Sequence, residues 1–185
     1  MFKLEIGKQR SVVDLAKLKM YKGTIVYGVP QQTAHTRIAE NSEDSKDSKP
    51  RYNNAQILAL MEHGSIINNI PERELLGPVR KKYKKQIDAE LLKVCTLIIQ
   101  NKPEEADVVM EKLALRIEAW TKKFFTDSDN GWAPNAPITI NGGWMRNKTS
   151  GKVFYIKGKH SERPLIDTGS LRASIKAIFY KDGRQ

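Results

Sequence analysis

The fold is decided by residues 78–124, PVRKKYKKQIDAELLKVCTLIIQNKPEEADVVMEKLALRIEAWTKKF, which contain two long helical patterns. In the first pattern, apolar residues recur every three or four positions, the spacing that places side chains on one face of an α-helix. They are Val79, Tyr83, Ile87, Leu91, Val94 and Ile98. The pattern predicts one continuous amphipathic helix of about 22 residues, with Gly77 as its cap and Pro78 at its first position.

A second helix is predicted to begin at Pro103, because proline cannot continue the helix before it. Glu104 and Glu105 lie in its first turn, where acidic side chains complement the helix dipole. Its apolar stripe consists of Ala106, Met110, Leu113, Ile117, Trp120 and Phe124. The two stripes together predict a packed helical pair at the centre of the core.

Strand patterns lie on both sides of this helical pair. KGTIVYG, KVFYIKG and SIKAIFYK are rich in β-branched and aromatic residues. We therefore expect an α+β fold in which the two central helices pack against a small, mainly antiparallel sheet with long extended loops. The strands of that sheet are predicted at 22–30, 152–158 and 173–181, with at least one other strand.

The remaining segments predict short helices and loops within a single domain over residues 1–185. Short helices are expected at 11–20 and in YNNAQILALMEHGS, where Gly64 ends the helix. Residues 31–50 have few apolar side chains and are predicted to form a mobile polar loop or insertion. The turn-rich DSDNGWAPNAPITINGG predicts irregular backbone, and residues 142–162 an extended loop or strand arm.

The chain is basic, with a net charge of +11. Ten Lys or Arg and three Asp or Glu lie between Arg146 and Gln185, so this end alone has a net charge of +7. Such a surface can meet nucleic acid, a membrane or an acidic protein, but RNA-binding, zinc-finger and helix-turn-helix signatures are missing from the sequence. The candidate basic contact surface consists of Arg80, Lys81, Lys84, Lys85, Lys157, Lys159, Arg172 and Lys176.

PLIDTGSLRASI, residues 164–175, contains the Asp-Thr-Gly-Ser of aspartic proteases. Those enzymes need two carboxylates that share a proton, yet no second motif occurs, and the 18 residues after Asp167 are too few for the remaining framework. We expect Asp167 or Thr168 to accept hydrogen bonds from nearby backbone N–H groups instead. Gly169 then supplies a positive φ before helical turns that bear Leu171 and Ile175.

Other catalytic and metal-binding patterns are equally weak. The three histidines, His35, His63 and His160, lack metal-ligand spacing, and a single cysteine, Cys95, cannot form an internal disulfide. Phosphate-binding glycine loops and hydrolase elbows do not occur. We predict that the protein is not an enzyme, has no cofactor or metal, and does not enter a membrane, since no apolar stretch approaches the length of a spanning helix.

Three motifs of the sequence together match a family pattern. In MEHGSIINNIPERELL the matching residues are Glu62, Gly64, Ile70, Pro71 and Arg73. In WAPNAPIT they are Trp132, Pro134, Asn135, Pro137 and Thr139, and in the late motif Leu165, Ile166, Asp167, Thr168, Gly169, Leu171 and Ile175. With these residues the chain resembles the tail-completion proteins of tailed bacteriophages, also called head–tail joining, neck or virion morphogenesis proteins. Glu74 and Leu75 depart from this family, which more often has Pro-Phe there.

The resemblance implies a non-enzymatic structural protein of the virion, made in the host cytoplasm and placed at the head–tail junction. Its partners would be copies of itself in a ring of about six or twelve subunits, the head connector or adaptor, and tail terminator or tube proteins, with possible passing contact with genomic DNA. We expect the segments 31–50 and 142–162 to contact neighbours, and the basic end to face an acidic protein. The alternative function is a sequence-nonspecific nucleic-acid-binding module.

Overall fold

The computed structural model describes residues 15–30, 53–66, 70–127, 129–146, 151–158, 160 and 169–181. Their mixture of helices and antiparallel strands confirms the predicted α+β class. The elements in chain order are α1 (15–20), β1 (Gly23–Gly28), α2 (Asn54–His63), α3 (Leu76–Lys82), α4 (Lys84–Ile99), α5 (Pro103–Phe124), α6 (Pro137–Asn141), β2 (Gly143–Arg146), β3 (Val153–Ile156), α7 (Ser170–Ser174) and β4 (Lys176–Lys181). The predicted polar loop at 31–50 lies outside the described residues.

The described strands form two separate antiparallel ribbons. β1 pairs with β4 in a register that runs from Gly23 opposite Lys181 to Gly28 opposite Lys176. The prediction that segment 152–158 joins the same sheet is wrong, because β3 pairs with β2 instead. Closing a short connection between neighbouring strands costs less chain entropy than a distant pairing. Both β2 and β3 lie within residues 142–162, the segment predicted as an extended loop or strand arm.

The contacts divide the chain into two compact units. The first unit consists of Met1–Gly28, Val79–Trp120 and Lys176–Gln185, and the second of Val29–Pro78 and Thr121–Ile175. The first unit contains the β1–β4 ribbon and α4. The second contains the three motifs that carry the family resemblance. The expectation of a single domain stays a prediction, and each unit is described by itself.

The core of the first unit lies between the β1–β4 ribbon and the predicted helical pair. One buried cluster consists of Val94, Ile98, Ala106 and Met110, and the other of Leu113, Ala114, Ile117 and Ala177. Ile25 of β1 and Phe179 of β4 pack against both clusters. The apolar stripe of α5 and its start at Pro103 are therefore confirmed.

The first predicted helix is interrupted at Tyr83, which separates α3 from α4. Tyr83 has φ −102° and ψ 13°, outside the helical range, although its N–H still donates to the Val79 carbonyl at 3.0 Å. Its ring stacks on Trp120 with the centroids 4.4 Å apart. The prediction of one continuous helix is wrong because the apolar spacing runs through the interruption unchanged.

An ion-pair cluster links α4 to α5. Glu90 accepts hydrogen bonds from Lys93 at 3.1 Å and from Arg116 at 2.6 Å. The Lys93 hydrogen bond, followed by that of Arg116, lowers the pKa of Glu90. Because the folded pKa is the lower one, the cluster stabilises the fold above the unfolded carboxyl pKa and loses this contribution as the pH falls through the folded pKa.

In the second unit, α2 packs against α7. A reciprocal capping box starts α2, in which Asn53 accepts from the Gln56 N–H and the Gln56 side chain accepts from the Asn53 N–H. Asn54 is fully buried, and its Nδ2 donates to the Ser170 hydroxyl at 3.0 Å. The start of α2 is thus tied to the start of α7.

Candidate functional site

The first motif is a tight reversal of the chain after α2. Gly64 has a φ of +63°, and a Cβ added there would lie 2.9 Å from both the Glu72 nitrogen and the Ile70 oxygen. Ser65 and Ile70 exchange two backbone hydrogen bonds of 2.8 Å, which close the turn. Glycine is required here because a side chain would meet backbone atoms that have no room to move.

Glu62 joins the end of α2 to the beginning of α3. Its Oε1 accepts hydrogen bonds from the N–H groups of Leu75 at 2.8 Å and Leu76 at 2.9 Å. A carboxylate satisfies these N–H groups and also complements the positive end of the helix dipole. This contact corrects the predicted start at Pro78, since α3 begins two residues earlier, at Leu76.

Replacing Glu62 by glutamine is expected to lower the free energy of unfolding by about 1 kcal/mol, because the acceptor remains but its charge is lost. Glu62→Ala removes the acceptor as well and should cost about 2 kcal/mol. Urea denaturation followed by circular dichroism measures both changes. Glu111→Gln, an exposed change on α5, is the control, and equal midpoints for all variants would contradict the capping role.

Arg73 connects the first motif to the second. Only 8% of Arg73 is exposed, and its Nε and Nη2 donate to the Ala133 carbonyl at 3.3 and 3.2 Å. Nη2 also lies 3.5 Å from the Pro134 carbonyl oxygen, and the Arg73 N–H donates to Met61 at 2.8 Å. Burial lowers the pKa of the guanidinium. The planar fork of arginine suits such paired acceptors.

Trp132 makes the reciprocal contact from the second motif. Its indole Nε1–H donates to the Glu74 carbonyl oxygen at 2.8 Å. The edges of Phe124 and Phe125 meet the indole at centroid distances of 5.7 and 5.6 Å, with interplanar angles of 77° and 86°. These edge-to-face contacts are a favoured aromatic arrangement. The two motifs therefore hold each other's main chain.

The PNAP part of the second motif leads into a short helix. Pro137 is the first residue of α6, where a missing N–H costs nothing, and Ala136 is its cap. The Thr139 N–H donates to the Ala136 carbonyl at 2.8 Å. The prediction of irregular backbone is wrong for Pro137–Asn141, which form a helix. Asn135 is half-buried at the approach to this helix.

The third motif is described only from Gly169 onward. Gly169 has a φ of +71°, the left-handed conformation expected for the turn before α7. Leu171 is 1% exposed and Ile175 is fully buried, so both apolar positions lie in the interior. Leu165, Ile166, Asp167 and Thr168 lie outside the described residues, and the capping role of Asp167 stays a prediction.

The candidate basic residues are distributed over both units. In the first unit, Arg80, Lys81, Lys84 and Lys85 are exposed on α3 and α4, although Lys84 pairs with Asp88. Lys176 is half-buried and lies 3.3 Å from Glu118. In the second unit Lys157 and Arg172 are exposed, and Lys159 lies outside the described residues.

The described residues contain no group of three or more His, Cys, Asp and Glu placed to hold a metal ion. Within the same ranges, no helix is both long and apolar enough to span a bilayer. Cys95 is half-buried and its thiol is free. The first unit has an apolar groove of about 390 Å³ beside β1, α4 and α5, with Arg80 as a charged residue in its lining.

Comparison of the chain with protein-family models, with curated proteins and with solved structures finds no match in any of the three. The function proposed below therefore rests on the three motifs and on the contacts that their residues make.

One exposed set of residues was missed by the sequence interpretation. Trp144, Met145 and Tyr155 project from the β2–β3 ribbon. The sequence feature that could have identified them is the presence of aromatic residues in both strands, close to lysine and arginine residues.

Proposed function

We propose that this protein is a structural component of a tailed-phage virion, a tail-completion or neck subunit that forms a ring and joins the tail to the head connector. The observation that carries the proposal is the mutual bracing of the first two motifs. Arg73 holds the Ala133 carbonyl, and Trp132 holds the Glu74 carbonyl. Arg73 and Trp132, two of the residues on which the resemblance rests, thus each hold the main chain of the other motif across about 60 positions of sequence.

These contacts favour a structural role, in which the motif residues fix the path of the main chain. In the first motif, the side chains of Glu62 and Arg73 bind main-chain groups and set the path of the chain. Trp132 does the same in the second motif. A ring subunit requires such fixed surfaces, because each copy must present two different faces at a constant angle for the ring to close.

The proposal is tested with a phage that carries a stop codon in this gene. In a non-suppressing host, we expect filled heads and free tails that do not join, whereas a suppressing host should yield joined particles. Negative-stain imaging of both lysates distinguishes these products. Adding the purified protein to the defective lysate should restore infectious particles.

Two outcomes would contradict the proposal. One is the formation of normally joined, infectious particles in the non-suppressing host. The other is a block before head filling, which would place the protein in capsid assembly or genome packaging.

Sequence-nonspecific nucleic-acid binding is the second candidate function. Arg80, Lys81 and Lys85 are exposed along α3 and α4, and phosphate groups bind such clusters. If this function is correct, purified protein should bind duplex DNA with an affinity that falls steeply with salt. Weak binding that vanishes at physiological ionic strength would favour the structural role, in which the basic surface meets an acidic protein.

A further inference from the structure

The β2–β3 ribbon exposes an unusual amount of apolar surface. A two-stranded ribbon is only marginally stable in water by itself, and exposed apolar patches of this kind mark interaction sites. Trp144 and Tyr155 meet edge to face at 5.3 Å, which gives the ribbon one ordered aromatic surface. The exposed fractions are 72% for Trp144, 41% for Met145, 54% for Val153, 44% for Phe154 and 57% for Tyr155.

The positive charge of the ribbon indicates the kind of surface that it binds. Between Gly143 and His160 the sequence has five Lys or Arg and no Asp or Glu. Arg146, Lys152 and Lys157 of this stretch are exposed. We call residues 143–146 and 151–158 the cationic ribbon. Its composition of Trp, Tyr, Met and Arg is typical of the centre of protein interfaces, and its charge calls for an acidic surface opposite.

A surface of that kind lies on the same chain, at the first two motifs. Glu72, Glu74, Pro78, Asn130, Gly131 and Trp132 line a groove of about 330 Å³, which we call the acidic ledge. Glu72 and Glu74 are exposed, and in the described ranges neither carboxylate pairs with a lysine or arginine. Trp132 supplies an aromatic surface beside them.

We propose that the cationic ribbon of one copy docks on the acidic ledge of the next copy, an inference that rests on the proposed ring function. Opposite charges and aromatic surfaces then meet at a head-to-tail contact between two different faces, the type of contact that closes a ring. Because bases also stack on exposed aromatic side chains, duplex DNA binding by the ribbon is one of the outcomes that the test distinguishes.

The test is a charge swap. The ribbon variant combines Arg146→Glu with Lys157→Glu, and the ledge variant combines Glu72→Lys with Glu74→Lys. Each variant alone places like charges opposite each other, so its self-association should weaken by about tenfold or more. An equal mixture of the two restores opposite charges at every contact, as does the chain that carries all four substitutions. Both should recover wild-type association.

Association is measured by sedimentation velocity at low ionic strength, over concentrations up to the millimolar range. The matched control, Lys112→Glu with Lys123→Glu, makes the same charge change on exposed residues outside the ribbon and the ledge. It should associate like the wild type. None of these side chains is buried, so we expect every variant to fold. Circular dichroism checks this expectation.

Several results would overturn the docking. They are a wild-type chain that stays monomeric throughout, single variants that associate normally, and a mixture that does not recover. A ribbon variant that loses only duplex DNA binding would assign the ribbon to nucleic acid. The stop-codon experiment is independent of this contact, so unjoined heads and tails together with an ineffective charge swap would reject the docking alone.

Discussion

Replacing Trp132 by alanine is expected to lower the free energy of unfolding by about 3 kcal/mol, the largest effect of any substitution considered. The change removes an indole that meets Phe124 and Phe125 edge to face, and each such contact contributes about 0.5–1.5 kcal/mol beyond the area it buries. It also leaves the Glu74 carbonyl without its donor at 2.8 Å. The lower part of the range for buried tryptophan applies because Trp132 is half-buried.

The measurement is urea denaturation monitored by circular dichroism, with hydrogen exchange to locate the loss. Trp132→Phe is the matched control, since it keeps one aromatic ring and removes the Nε1 donor together with the smaller ring of the indole. That variant should lose about 1 kcal/mol. Faster exchange in Trp132→Ala is expected at residues 72–76 and 129–136. Faster exchange confined to other parts of the chain would contradict the bracing of the two motifs.

Arg73→Met is expected to cost about 2–3 kcal/mol, because two charge-assisted hydrogen bonds to Ala133 are lost while the apolar stem is retained. Methionine has a similar length, so the change tests the guanidinium and not the packing volume. The carbonyls of Ala133 and Pro134 must then find water in place of the fork.

Arg73→Lys is the informative comparison. Lysine keeps the positive charge but cannot form the planar fork, so it should recover less than half of the loss. Full recovery would show that charge alone matters at this position. Thermal and urea unfolding of the wild type and both variants give the comparison, and a stable Arg73→Met chain would remove the main link between the motifs.

Periodic segments of the sequence predicted their structures well. The apolar stripe of α5 and the proline at its start are local signals, and both are confirmed. The strands β1 and β4 likewise lie within the predicted strand segments 22–30 and 173–181. These predictions succeeded because side-chain period and terminal residues act within a few positions of the chain.

The sequence could not predict features that depend on distant contacts or on one residue's backbone. Tyr83 leaves the helical range without any change in apolar spacing. The pairing of Gly143–Arg146 with β3, in place of the single sheet that was expected, has no local signal in the sequence. Both predictions failed for the same reason, because a local sequence pattern does not show which distant residues a strand or an aromatic ring contacts.

The candidate site also combines features that the sequence predicted with features that it did not. The motif residues were identified from the resemblance, but the contact of Arg73 with Ala133 spans 60 positions and has no signature in sequence. Glu62 is a second example, because it caps a helix 13 positions later instead of its own. The acidic ledge likewise arises only when Glu72 and Glu74 come together with Trp132.

The most direct test is a density map of the head–tail junction in purified phage particles. We predict a ring of this protein between the head connector and the tail, with the fold of the second unit recognisable in each subunit. Particles that contain no copy of this chain at the junction would contradict the structural role.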